Sequence, residues 1–152
     1  MAAMIELRGA AIVAGDACGE AVVCDLPLSL WGGLDPETGE VIDRHHPLSE
    51  RRITGRVLSI PAGRGSCSAS GVLLEAIRAG TGPSAVILSR PDPIIALGAI
   101  LGEELYGLTV PIVVLSEADR VRIADGVTVL VTSDGTVRLA PPPPTGGADR
   151  PV

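Results

Sequence analysis

Aromatic side chains are nearly missing: the chain has no Phe, one Trp (Trp31) and one Tyr (Tyr106). Its core must therefore be built from Val, Ile, Leu and Ala, within an apolar content of 46%. No apolar run reaches the ~18 residues that span a bilayer, so no membrane partner is expected. The N-terminus has no basic region followed by an apolar stretch and a cleavage site, and no signal peptide is expected. Basic charge is in deficit: the formal net charge is −6 and the sequence pI about 4.8. That balance argues against nucleic acid as a partner. Cysteine is sparse. Cys18, Cys24 and Cys67 are odd in number and lack CxxC spacing, which points to a reducing cytoplasm rather than a disulfide framework. A length of 152 residues suffices for one domain with a real core and is short for two.

What is present alternates between strand and helix. Residues 4–8, 11–14 and 19–24 read as short strands separated by Gly9 and Gly15-Asp16. Residues 25–51 show little periodicity of either kind. A connection of that length is usually functional, and Leu28, Leu30 and Trp31 argue that it is ordered and packed. Residues 55–60, 84–88 and 110–115 are apolar strands, with Pro111 suited to a strand beginning. Between the first two, Ala69, Leu73, Ala76 and Ile77 share one helical face, and Gly80 is placed to end that helix. Asp92-Pro93 supplies an N-cap and a first-turn proline for a helix to Leu105, with Ile94, Leu97, Leu101 and Leu105 on one face. This order implies βαβ units around a parallel core. Residues 127–131 and 136–139 read as a hairpin about Ser133-Asp134-Gly135. The expected division is one domain over 1–140 and a disordered proline-rich tail over 141–152.

The chemistry is concentrated between the first apolar strand and its helix, in Pro61-Ala62-Gly63-Arg64-Gly65-Ser66-Cys67-Ser68-Ala69-Ser70-Gly71. A helix N-terminus offers unpaired N–H groups and partial positive charge, which suit a carboxylate or phosphate. Arg64 adds a guanidinium there; Ser66, Ser68 and Ser70 add hydroxyls; Gly63 and Gly65 permit close approach of a ligand to the backbone. A capped turn needs one serine, and this one carries three with two glycines and an arginine. The stretch is an anion-binding or catalytic candidate.

Four segments taken together are similar to one family: Pro27-Leu28-Ser29-Leu30-Trp31-Gly32-Gly33-Leu34-Asp35-Pro36, Val41-Ile42-Asp43-Arg44-His45-His46-Pro47-Leu48, Gly63-Arg64-Gly65-Ser66, and Leu74-Glu75-Ala76-Ile77-Arg78. In order and spacing the chain resembles the small subunit, or swivelling domain, of the aconitase X hydro-lyases, over about residues 5–139. The resemblance implies an α/β fold: a swivelling β/β/α domain with a closed, barrel-like mixed sheet and flanking helices. It implies a dehydratase subunit active only with a large aconitase X-type subunit, which holds the iron or iron–sulfur centre. The small hydroxy-acid substrate is cis-3-hydroxy-L-proline in many bacterial members and phosphorylated mevalonate in archaeal ones; the wording around Arg64 and Asp43 favours the former. In the wider superfamily the first serine of a Gly-Ser-Ser-Arg-type turn acts as base, and its match here is Ser66. Cys67 and Ser68 follow it where the family pattern has serine and arginine, and the available arginine is Arg64, before the serine. Arg64, Gly65, Cys67, Ser68, His45 and His46 are the expected substrate-binding residues.

Two readings from other classes stand beside this one. The pair His45-His46 fits a mobile phosphohistidine carrier, although the anion-friendly turn contains no histidine. The same fold also fits a non-catalytic ligand-binding domain. The histidines read as loop contacts shaping the substrate pocket or an interface, Cys18 and Cys24 as strand or core residues, and Trp31 as an interface anchor or core packing. Exposed apolar loop residues usually have a partner to cover them, and Leu28 and Leu30 are expected beside Trp31 in that role.

Overall fold

The computed structural model describes residues 4–141, and the expected disorder of 141–152 lies, from 142 onward, outside the described residues. The chain opens with β1 (Ile5–Arg8), β2 (Ala10–Val13), β3 (Ala17–Val23), β4 (Leu34–Asp35) and β5 (Glu40–Val41). It continues with β6 (Val57–Ser59), α1 (Ala69–Ala79), β7 (Ala85–Leu88), α2 (Pro93–Tyr106) and β8 (Ile112–Val114). It closes with α3 (Glu117–Arg120), β9 (Thr128–Val131) and β10 (Thr136–Leu139). Eight of these strands form one sheet in the order β1-β10-β9-β3-β6-β7-β8-β2. Its two edge strands, β1 and β2, are separated only by Gly9, so one bent segment serves both edges and nearly closes the barrel. A Cβ at Gly9 would sit 2.6 Å from the Val114 carbonyl oxygen, and no other residue fits that corner.

The four central strands, β3, β6, β7 and β8, are parallel neighbours, and α1 and α2 make the crossovers from β6 to β7 and from β7 to β8. The remaining pairs in the sheet are antiparallel. Alternation divides the apolar runs between two cores. Val57, Ala85, Ile87 and Val113 point into the barrel with Leu7, Val129 and Val137. Leu58, Val86, Leu88 and Ile112 point to the helices and the long loop, against Leu73, Ile77, Ile95, Leu28 and Leu34. Strands covered on both faces have no polar positions to alternate with, hence the unbroken Ala-Val-Ile-Leu of β7.

Helix α1 buries Ala69, Leu73, Ala76 and Ile77 and ends at left-handed Gly80 (φ 77°), as its spacing predicts. The bounds of α2 also follow its signals, but its buried face differs from the expected one. Ile95, Ala96, Gly98, Ala99 and Gly102 are buried, while Leu97 and Leu105 are 48% and 61% exposed. The reason is close packing of the two helices. A Cβ at Gly98 would lie 2.8 Å from the Ser70 carbonyl oxygen, and one at Gly102 3.0 Å from Ile77 Cγ2, so small residues face α1.

The long loop is ordered, with the small hairpin β4–β5 inside it, closed by Gly39 at φ 75°. Leu28 and Leu30 are buried in the core, so the interface expectation fails for them; Trp31 remains 58% exposed. The short α3, which carried no sequence signal, is capped by the Ser116 hydroxyl accepting from the Asp119 N–H. Among the described residues no helix is long and apolar enough to cross a membrane.

Candidate active site

The carboxyl ends of the parallel strands converge on one edge, the place where open α/β sheets collect ligands. The glycine-rich turn follows β6, the loop to Asp92 follows β7, α3 follows β8, and Asp25 follows β3. A cavity of about 50 Å³ opens there. Leu28, Leu30, Ala69, Ile94 and Ile95 give it apolar walls, and Arg64, Gly65, Ser66 and Asp92 are its polar lining. It is smaller than a five-membered cyclic amino acid, so a substrate needs further walls to be enclosed.

Gly65 sits at φ 91°, and a Cβ there would lie 2.9 Å from Ser29 Oγ. A residue that must be left-handed and bare lets the turn tuck beneath the loop at Ser29. Beyond it, Ser66 Oγ accepts from the Ser68 N–H at 3.1 Å, and the Ser66 carbonyl accepts from Ala69 N–H at 3.0 Å. Ser70 is taken up elsewhere, its hydroxyl donating to the Cys67 carbonyl at 2.9 Å. Ser68 holds the N-cap position and makes no side-chain capping bond. The N–H groups of Gly65, Ser66 and Cys67 have no acceptor among the described residues. The turn thus presents unspent donors beside one hydroxyl that already receives a donor.

Of the expected substrate-binding residues, the structure brings Arg64 and Gly65 to the cavity with Ser66. Arg64 is exposed and has no carboxylate partner among the described residues. Cys67 and Ser68 are exposed and do not line it. His45 is exposed, with its backbone N–H on Asp43 Oδ1. His46 is 7% exposed and spends both ring nitrogens on backbone: Nδ1 accepts from Leu48 N–H, and Nε2 faces the Pro27 carbonyl, each at 3.1 Å. That pattern fixes the Nε2–H tautomer and ties residues 43–48 to the Pro27 loop.

Sequence reasoning missed two features of this edge. Asp92 caps α2, as expected, by accepting from Ile94 and Ile95 N–H on Oδ1. Its Oδ2 also accepts from Gly63 N–H at 2.9 Å, joining α2 to the turn. The second feature is Arg120, fully buried although it is a charged residue at the end of the short α3. Its Nε donates to Ser89 Oγ at 2.5 Å, and the other guanidinium nitrogens reach the Cys24 carbonyl, Asp25 and Glu117. Ser89 in turn donates to Glu117, and that hydroxyl, then Arg120, holds the Glu117 carboxyl below the usual carboxylate range. No signal near residue 120 could have found it, because its partners Cys24, Asp25 and Ser89 lie far off in sequence.

The family profile described as the aconitase X swivel domain matches residues 6–139. The chain belongs to this family. A cis-3-hydroxy-L-proline dehydratase of Pseudomonas aeruginosa is 51% identical over 139 residues, 87% of this swivel domain chain and 23% of that protein. One of Hypocrea jecorina is 50% identical over 112 residues, 74% of this chain and 19% of its own. The phosphomevalonate dehydratase small subunit of Pyrococcus furiosus is 42% identical over 97 residues, covering 64% of this chain and 72% of the subunit. The swivel domain therefore spans about a quarter or less of the cis-3-hydroxy-L-proline dehydratases it matches. The crystal structure of Thermococcus kodakaraensis aconitase X in its holo-form superposes with a TM-score of 0.81 at 33% identity, over 90% of this chain and 99% of that one. The closed β/β/α swivel architecture expected from the resemblance is the one observed.

Proposed function

We propose that this swivel domain is the small-subunit part of a hydro-lyase that removes water from cis-3-hydroxy-L-proline, with Ser66 as the general base. The observation that carries the proposal is Ser66 Oγ at the cavity, receiving the Ser68 N–H beside three unspent backbone donors. A serine takes a proton only as alkoxide, and fixed N–H donors in a site closed to water are what stabilise one. Elimination then moves the proton on the carbon bearing the carboxylate to Ser66. The C–H electron pair becomes the new C=C bond, and the neighbouring hydroxyl departs as water on taking up a proton. Arg64 pairs with the substrate carboxylate, supported by its position on the cavity and its want of any carboxylate partner among the described residues. Cys67, Ser68 and His45 remain proposed outer contacts, completed by the partner.

That partner is a large aconitase X-type subunit, and it supplies the walls the small cavity lacks. Among the described residues no three His, Cys, Asp or Glu side chains converge as a metal site. The donor set here does not fit an iron centre; we place the iron centre on the partner and route no step through it. Identities of 50% and 51% to the two cis-3-hydroxy-L-proline dehydratases, against 42% to the phosphomevalonate subunit, support the choice of substrate. The test is Ser66→Ala in the assembled enzyme, following turnover of cis-3-hydroxy-L-proline and exchange of its α-proton with deuterium. Turnover should fall about a hundredfold or more, the scale of a positioned base, and exchange should fall with it. Exchange and turnover at wild-type rates would place the base elsewhere.

A further inference from the structure

We infer that Asp92 is a positioning residue for the base: it sets the glycine-rich turn through Gly63, beyond its service as a helix cap. The inference rests on the proposed role of Ser66. The loop between β7 and α2 grips the turn at two points. Ser89 and Arg90 N–H groups both donate to the Pro61 carbonyl, at 2.9 and 3.3 Å. Gly63 N–H donates to Asp92 Oδ2 at 2.9 Å, and this is the only side-chain bond in the grip. The contact is close enough that a Cβ on Gly63 would lie 2.8 Å from Asp92 Oδ2 and 3.1 Å from Ile95 Cδ1. Two residues of opposite type, a bare glycine and a carboxylate, are thus fitted to each other three positions before Ser66.

The charge makes the case sharper. A carboxylate lining a cavity that must hold the substrate's own carboxylate opposes that group, and a plain helix cap needs no charge, since Asn and Ser cap about as well. Asp92 differs from those residues in having two acceptor oxygens. One holds Ile94 and Ile95 N–H; the other is left for Gly63, and three N–H donors offset its charge. Asn keeps one acceptor for the cap and turns an NH₂ donor toward the Gly63 N–H, so it breaks the tie alone. Ser caps and cannot reach Gly63.

The experiment measures Asp92→Asn and Asp92→Ser beside Ser66→Ala in the assembled enzyme, with cis-3-hydroxy-L-proline as the probe. Both Asp92 variants should melt close to wild type and lose protection of the Gly63 amide in hydrogen exchange. Their kcat should fall about ten- to a hundredfold, the cost of a group displaced by about an ångström, with KM unchanged or lowered and the pH profile unmoved. Wild-type kcat in both variants, with Ser66→Ala collapsed, would overturn the positioning role and leave the base assignment intact. A shifted pH profile would overturn it by making Asp92 an acid or base itself. A drop in melting temperature with normal kcat per folded enzyme would reduce Asp92 to a cap. Ser66→Ala at wild-type turnover would remove the base reading and this inference together.

Discussion

Helices α1 and α2 begin at the same small cavity, and only one of them is closed by a side chain. At α2, Asp92 takes the first free N–H groups and Pro93 removes another. At α1, Ser68 stands in the capping position without a capping bond, and the N–H groups before it point to no acceptor among the described residues. The sequences feeding the two ends explain the contrast. A carboxylate followed by proline is satisfied within its own chain; glycine, serine and arginine leave donors in excess. The first-turn N–H groups of α1 donate to the Ser66, Cys67 and Ser68 carbonyls, so the free donors are those of the turn itself, at Gly65, Ser66 and Cys67.

The contrast can be broken most severely at the contact that holds the two helices side by side. Gly98→Leu places a side chain where the Ser70 carbonyl already lies 2.8 Å from an ideal Cβ. It should cost about 3 kcal/mol in urea unfolding, at the upper end for overpacking, and shift the first turn of α1. Adding a side-chain cap to α1 is the next largest change. Ser68→Asp adds an acceptor and negative charge at the start of α1, so the melting temperature should rise slightly while KM for the hydroxy acid rises about tenfold, a charge-assisted pairing now opposed. A rise in melting temperature with unchanged KM would show that the free N–H groups do not meet the substrate.

Uncapping each helix in turn should then give unequal losses. Asp92→Ala should lower stability by about 1 kcal/mol, whereas Ser68→Ala, which removes no capping bond, should stay within about 0.5 kcal/mol. Equal losses would erase the distinction between the two ends. The smallest effect is read from its loss in acid and concerns another carboxylate that holds a hydroxyl and a backbone donor. Asp134 accepts from the Thr132 hydroxyl and Thr136 N–H, which lower its pKa from 3.8 to about 2. The folded state binds that proton less readily than the unfolded chain, so the stabilisation is complete above the unfolded value and is lost as pH falls toward 2. Asp134→Asn should flatten the stability curve in that window, being less stable than the parent at neutrality and approaching it only as pH falls toward 2.

Much of this was legible because it is local. The β6–turn–α1 unit could be read from an apolar run, two glycines and the spacing of Leu73, Ala76 and Ile77. The ends of α2 could be read from Asp92-Pro93 and from Gly107, its left-handed cap at φ 66°. Its face could not, since leucines and small residues recur with the same helical period, and hydropathy favours the larger ones. What decided the matter was a neighbour, the backbone of α1, at a distance that only Gly98 and Gly102 allow. The burial of Leu28, the tie from Asp92 to Gly63 and the clamp around Arg120 are likewise long-range. Arg120 meets Cys24, Asp25 and Ser89, residues from the ends of β3 and β7 that nothing near residue 120 announces.

The pairing of β1 with β10 sets Ile5 directly opposite Leu139. The fold is therefore entered and left at one spot, through two hydrogen-bonded neighbours. A polypeptide spliced to either side starts from the same doorway, and the sheet needs no re-threading to accept it. Evolution could join such a module to a larger protein by a leading tether or a trailing one, or keep it as a detachable piece, with its interior unchanged. The two kinds of relative differ in this way: this chain covers 23% of one long protein and 72% of one small subunit.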